Sequence, residues 1–229
     1  MTPLSSVIRS ALLPSADVSR LTALRRSTSL FSQGQVADSL YFLEDGLVKL
    51  TRTNNNGNRI ILVICGPGHL VGEDVLSEES QSYSAEAEVL TTATLFRIPR
   101  EALSHAMSTN AELSAALVSY LLQRKLALAE KVELLCLHDV EYRILHYLAE
   151  LSALVKPLTD GDGYQLPITQ LELADLIGAT RETTSTTLNQ LERRGLVKLS
   201  RRLLTIPSPV MLRSAATAKA EPSQGAAPA

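Results

Sequence analysis

The hydrophobic pattern changes its period once, near Asn110, and that change dictates a chain of two unlike parts. From about Thr28 onward, short alternating runs (SLYFLE, GLVKLTRT, NRIILVIC, AEAEVLTTATLFRI) are separated by Gly34, Asp45-Gly46, Asn54-Asn55-Asn56-Gly57, Gly66-Pro67-Gly68 and Gly72. A period of two marks strands, and many short strands with glycine turns predict an antiparallel barrel or roll. Asn56-Gly57 between apolar runs predicts a hairpin, because both residues tolerate positive φ. From Asn110 to Leu137 there is neither glycine nor proline, and the spacing becomes helical.

Within that stretch Val118, Leu121, Lys125, Leu128, Val132 and Leu135 recur at intervals of three and four. This is the seam of a coiled coil, so a dimerisation helix is expected over residues 110–137. Lys125 in the seam costs stability but can set register. A helix of this length has a second face, free to pack on its own roll. Upstream, Val7, Ile8, Leu12, Leu13, Leu21 and Leu24 predict helix across residues 4–27. Downstream, Ile144, Leu145, Leu148, Leu151 and Leu154 share one helix face. KPLTDGDGYQL is a turn or loop by its Pro, Gly and Asp content. The tail after about Arg213 is small and polar, and a disordered segment is expected there.

Residues 168–206, ITQLELADLIGATRETTSTTLNQLERRGLVKLSRRLLTI, carry the chemistry. Thr169 and Glu172 form a capping box that opens a short helix. Leu171, Ala174 and Leu176 or Ile177 give it an inner face, and Gly178 ends it. Thr180 caps a second helix beginning at Arg181, with Leu188 and Leu191 facing inward. Two short helices across a tight glycine turn predict a helix-turn-helix, with the second as recognition helix. Arg181 can donate two bonds to guanine, and Glu182 can accept from cytosine N4. Ser185, Thr186 and Asn189 lie on the other faces of its first turns. Thr169, Gln170, Thr180 and Thr183 are short polar groups suited to phosphates. After Gly195 a two-stranded wing is expected, with Arg201 and Arg202 at its tip. From Arg181 to Arg213 seven basic residues face two acidic ones, the footprint of a phosphate-binding surface. The expected domains are 1–109 (N-terminal helix and roll), 110–137 (dimerisation helix), 138–213 (winged helix-turn-helix) and 214–229 (disordered tail).

Other function classes find little support. The 229 residues carry a formal net charge of −2, so the local excess just described matters more than the total. Cys65 and Cys136 stand alone, with no Cys/His ligand spacing, and both are expected to be small core hydrophobes. No zinc or iron–sulfur site is expected, and a reduced cytoplasmic setting fits. A metal-dependent enzyme on a roll would need clustered histidines, yet of His69, His105, His138 and His146 only His69 lies in the strand-rich part. No catalytic residue is expected. No run approaches the roughly 18 apolar residues of a membrane span.

The chain resembles the CRP/FNR family of bacterial transcription regulators (catabolite activator, fumarate–nitrate reduction) over about residues 28–207. The resemblance rests on Gly34, Gly46, Gly57, Gly68 and Gly72, on LYFLEDGLVKL and GHLVGED, and on EKV…LHDV and ITQLELADLIGATRETT. It implies an α+β protein: an N-terminal antiparallel β-roll of the cyclic-nucleotide-binding kind (a double-stranded β-helix), a long dimerisation helix and a C-terminal winged helix-turn-helix. It further implies a homodimer on a palindromic operator in double-stranded DNA, with RNA polymerase as partner. In cyclic-AMP-binding members a cassette in the roll holds the phosphate. Gly72, Glu73, Ser84 and Ala85 match it here, but the phosphate-pairing arginine is replaced by Tyr83. Two hydroxyl positions on the long helix are Leu128 and Ala129. No Lys or Arg stands between Arg59 and Arg97, while Glu73, Asp74, Glu78, Glu79, Glu86 and Glu88 do. A buried phosphate would meet uncompensated negative charge. The regulator is therefore expected not to respond to cyclic AMP in the usual way, and no cofactor is expected, a cyclic nucleotide being the one candidate. A conventional cyclic-nucleotide-dependent regulator and a sensor or scaffold without DNA binding stay open as alternatives. In the recognition helix, Thr186 replaces a second arginine and Thr184 a valine.

Overall fold

The computed structural model describes residues 3–79, 81–158, 163–200 and 203–220. The chain divides between Val132 and Glu133 into two compact units, so the boundary falls inside the long helix.

The first unit opens with α1 (Pro3–Ala11), followed by β1 (Ser19–Leu24), β2 (Ser29–Phe31), β3 (Ser39–Asp45), β4 (Val48–Thr53), β5 (Arg59–Cys65) and β6 (Leu70–Val71). A 3-10 turn over Glu73–Leu76 leads to β7 (Glu86–Val89), β8 (Ala93–Pro99), α2 (Arg100–Thr109) and α3 (Ala111–Leu137). The strands form two antiparallel sheets, ordered β1-β8-β3-β6 and β2-β7-β4-β5. Tyr41 and Leu43 of β3 join Phe31, Val48, Leu50, Tyr83, Ala87, Val89 and Leu95 in the core between the sheets. Leu40 and Phe42, on the opposite face of β3, pack with Ile8 and Leu12 of α1 and Leu113, Leu117 and Tyr120 of α3. This is why SLYFLE reads as an almost continuous apolar run: β3 has both faces covered. The Asn56-Gly57 hairpin forms as expected. Asn54 Oδ1 accepts the N–H groups of Asn56 and Asn58, and Gly57 takes a φ of 80°.

The N-terminal expectation needs correction. Helix ends at Ala11, and Ser19–Leu24 is a strand paired with β8. Leu21 and Leu24 pair with Leu95 and Ala93 across a bulge, where Ala23 takes a φ of 55°. The extra residue turns two leucines three apart onto one face of a strand, which imitates helical spacing. Of the two cysteines, Cys65 is buried as expected but Cys136 is exposed. Burial, chiefly, pushes the Cys65 thiol up to about 12.

The second unit takes in the end of α3, then α4 (Val140–Leu154), β9 (Tyr164–Leu166), α5 (Gln170–Ile177), α6 (Arg181–Arg193), β10 (Lys198–Leu199), β11 (Leu204–Ile206) and α7 (Pro209–Ala220). The stretch read as loop before Pro167 holds β9, so the wing sheet has three strands, in the order β10-β11-β9. Three residues are too few to show a period. The tail reading is also corrected: residues 214–220 are helical within α7, which Leu212 anchors in the core and Lys219 ties to Asp139 at 2.9 Å. Composition alone missed that anchor. Residues 221–229 lie outside the described residues.

Phe42 is fully buried where roll and helices meet. Phe42→Ala should lower unfolding free energy by about 3–5 kcal/mol, measured by urea denaturation; a loss below about 1 kcal/mol would contradict this packing.

Candidate nucleic-acid interface and effector cassette

The helix-turn-helix is set by its caps. Thr169 Oγ1 accepts the Glu172 N–H at 3.1 Å, and Glu172 returns a bond to the Thr169 N–H at 2.9 Å, completing the capping box. Gly178 ends α5 in the left-handed region, at φ 63°. A Cβ there would stand 2.8 Å from Leu135 Cδ2, so the leucine tip would have to shift, but it is the left-handed backbone that favours glycine. Arg143 of α4 donates to the Ile177 carbonyl at 2.8 Å, satisfying the last turn of α5. Thr180 caps α6 by accepting the Thr183 N–H at 3.2 Å. The caps, and the buried Leu173, Ala174, Leu176, Ile177, Leu188 and Leu191, fix the angle between the helices. Leu171, expected on the inner face of α5, is exposed instead.

This frame leaves Arg181, Glu182, Thr183, Thr186 and Asn189 exposed and Ser185 half-buried. Thr184 is buried, its hydroxyl donating to the Thr180 carbonyl at 2.9 Å. Thr169, Gln170, Leu171 and Arg181 share one open hollow of about 630 Å³ with Leu199 and Ser200 of the wing. The N-termini of α5 and α6 and the wing therefore face a common space. Helix N-termini favour phosphate there. Arg201 and Arg202 lie outside the described residues.

In the cassette, Gly72 takes a φ of 90°. A Cβ on Gly72 would lie 3.1 Å from the Ser39 carbonyl, 3.1 Å from the Tyr83 ring and 3.3 Å from the Phe31 ring. Gly72 is buried, and the side on which a Cβ would stand is occupied by two aromatic rings, themselves stacked at 3.7 Å. Tyr83 is fully buried. Its hydroxyl donates to the Ser39 carbonyl at 2.7 Å and accepts the Ser39 N–H at 3.1 Å. Burial, above all, pushes this phenol up to about 12. Ala85 is buried, whereas Ser84, Leu128 and Ala129 are exposed.

At Glu73 and Glu88 the negative charge expected to be uncompensated has a cation beside it. Glu73 pairs with Arg124 of α3 at 3.2 Å, and Glu88 pairs with Lys49 at 3.1 Å. Both cations come from outside the window between Arg59 and Arg97, so this negative charge is compensated. Burial raises the Glu73 carboxyl, with Arg124 opposing. Sequence reasoning missed Arg124, Tyr120 and Lys131, which tie α3 to the roll. Tyr120 bonds both backbone groups of Leu70, and Lys131 donates to the Ile61 carbonyl at 2.9 Å. The spacing of Leu113, Leu117, Tyr120 and Arg124 was the available signal: one helix stripe, buried through Tyr120, that ends on a half-buried cation.

Residues 21–110 match the cyclic nucleotide-binding domain family, and residues 142–215 match the Crp-like helix-turn-helix domain family. The chain belongs to the CRP/FNR family. This CRP/FNR protein is a transcription regulator with a helix-turn-helix DNA-binding domain, and not an enzyme. It is 30% identical to the cAMP-activated global transcriptional regulator CRP of Salmonella typhimurium over 170 residues, 74% of this chain and 81% of that protein. It is 34% identical to the cyclic AMP receptor protein of Thermus thermophilus over 188 residues, 82% of this chain and 81% of that protein. Among solved structures it is similar to the c-di-GMP responsive global regulator CLP of Xanthomonas campestris (TM-score 0.72, 27% identity, 83% of this chain and 94% of that one). A CRP-family regulator of Thermus thermophilus shares the fold (TM-score 0.74, 24% identity, 89% and 98% covered). Among the described residues no helix is long and apolar enough to cross a membrane, and no three His, Cys, Asp or Glu side chains gather as a metal site.

Tyr83→Phe removes the hydroxyl and leaves the buried N–H and carbonyl of Ser39 without it. The expected loss is about 1–3 kcal/mol of stability, read by urea denaturation; an unchanged midpoint would show the bridge to be idle.

Proposed function

We propose that this regulator acts as a homodimer on a palindromic operator and binds it without cyclic AMP. Support for the dimer comes from α3. Its stripe through Leu113, Leu117 and Tyr120 is buried on its own roll, while Val118, Leu121, Leu122, Leu126, Leu128 and Val132 are exposed. So many large apolar side chains on one helix mark a surface that a partner covers. Pairing along Val118, Leu121, Lys125, Leu128 and Val132 gives a coiled coil. Leu135, the last seam position, is half-buried beside Gly178, so the seam weakens there.

On DNA, two recognition helices enter successive major grooves about 34 Å apart. Arg181 and Glu182 read base edges, and Thr169, Gln170, Thr180 and Thr183 hold phosphates, joined by the basic pair Arg201 and Arg202 that the sequence offers. Ser185 and Thr186 contribute short contacts where a second arginine is missing. RNA polymerase is the partner that such a regulator engages, and the cytoplasm is where it meets both.

Independence from cyclic AMP rests on one observation, the hydroxyl of Tyr83 closed on both backbone groups of Ser39. Two relatives are named for cyclic AMP. The same response here would need an anion cradle at Gly72, where the Tyr83 and Phe31 rings stand. A neutral phenol supplies one donor and no charge, and this one is already spent.

Titrating the purified protein with cyclic AMP to about 1 mM, where binding is worth about −4 kcal/mol, should give no heat. A selected duplex should bind tightly with no nucleotide present. Arg181→Ala should cost about 1–3 kcal/mol of discrimination at one base pair of each half-site. Nucleotide heat coupled to tighter DNA binding would make this a conventional cyclic-AMP receptor. Absence of salt-dependent DNA binding would leave a sensor or scaffold. Sedimentation should find Leu128→Glu monomeric and folded; a persistent dimer would place the interface elsewhere.

A further inference from the structure

Glu192 lies in the last turn of α6, far from the base-reading end of that helix. Its side chain is exposed, and its Oε1 accepts the Leu199 N–H at 2.7 Å. Leu199 belongs to β10, the edge strand of the wing sheet. The strand register explains why this N–H is available. Lys198 stands opposite Thr205 and Leu199 opposite Leu204, and Ser200 donates its N–H to the Leu203 carbonyl at 3.0 Å. Bonded and non-bonded positions alternate along an antiparallel pair. With Ser200 bonded across the hairpin, Leu199 turns its N–H away from β11, toward the open edge. There Glu192 supplies the acceptor that a further strand would otherwise provide.

The consequence reaches the DNA-facing surface. β10 is two residues long, and so short a hairpin has little stability of its own. A charge-assisted bond of this length is therefore a large share of what holds its outer edge. Leu199 and Ser200 form the wing wall of the hollow that Thr169, Gln170, Leu171 and Arg181 close on the other sides. The exposed Lys198 precedes them on the same strand. An acidic side chain on a module that meets phosphates lowers affinity by repulsion unless it is otherwise engaged. Glu192 is engaged.

Resting on the reading that this hollow takes the sugar–phosphate backbone, we propose that Glu192 is a positioning residue for DNA binding. It ties the wing strand to the end of the recognition helix and so sets the width of the backbone hollow and the reach of Lys198. It touches no base. Its removal should weaken binding to all sequences alike.

The test measures affinity of the full-length protein for a selected duplex across a salt series, and for the same duplex changed at the base pair that Arg181 reads. Glu192→Ala should weaken both by about three- to tenfold. It should also flatten the slope of log affinity against log salt by about 1 per lost phosphate contact, while the ratio between duplexes stays that of the wild type. Glu192→Gln, whose amide oxygen still accepts the Leu199 N–H, should keep the wild-type slope. In a Lys198→Ala background, Glu192→Ala should flatten the slope less than it does alone. An unchanged slope in Glu192→Ala overturns the proposal, as does a Gln variant that behaves like Ala. A changed ratio between duplexes also overturns it, since the carboxylate would then act on the recognition helix itself. Wild-type binding that ignores the Arg181 base pair removes the underlying reading of the hollow, and the proposal with it. Arg181-dependent preference with a silent Glu192→Ala removes only the proposal.

Discussion

Tyr120 reaches from the long helix to the roll and bonds both the N–H and the carbonyl of Leu70, each at 3.0 Å. Around it Leu113 and Leu117 pack on Leu40, Phe42 and Ile98, and one turn further on Arg124 closes on Glu73. Everything that distinguishes the two faces of α3 follows from this contact. The buried stripe fixes the helix rotation, and the opposite stripe of Val118, Leu121, Leu122, Leu128 and Val132 is thereby turned outward. Were the helix rotated, the seam would face its own roll. In the proposed dimer the register is thus decided inside one chain, by where a phenol finds two backbone groups.

A second tyrosine uses the same chemistry to a different end. Tyr83 bonds both backbone groups of Ser39 and lays its ring over Gly72 beside Phe31. In the proposed reading this ring stands where the cassette of a cyclic-nucleotide-responsive relative would meet its ligand. Glu73 within it pairs with Arg124 and Glu88 just beyond it with Lys49, so neither carboxylate awaits a ligand's charge. In this reading the link between cassette and long helix is permanent, an ion pair rather than a nucleotide.

Much of this was legible in the residues. The capping box at Thr169 and Glu172, the glycine turn and the cap at Thr180 are local chemistry, and local chemistry survives folding. What failed was non-local. The spacing of Leu21 and Leu24 fits a helix and a bulged strand equally well, and only β8 chooses between them. β9 exists because β11 needs a neighbour, and α7 because Leu212 finds a core. The acidic look of Glu73 and Glu88 misled because their partners, Arg124 and Lys49, lie outside that stretch of sequence. Tyr83 was recognised as a departure, but its partner, the backbone of Ser39, has no side-chain signature to read.

The recognition helix carries five hydroxyl residues in a row, Thr183 to Thr187, and most of them are occupied. Thr184 and Thr187 donate to the carbonyls one turn back, and Thr183 pairs with the Thr180 hydroxyl. Side chains this short, already held in one rotamer, have little freedom left to lose in a groove. The helix backbone can also lie closer to the base edges than a helix lined with long cations would. Such a surface trades reach for fit: it gains less from counterion release and depends more on groove shape. Operators for this protein would then be distinguished as much by how easily their central steps bend as by the bases that Arg181 can touch.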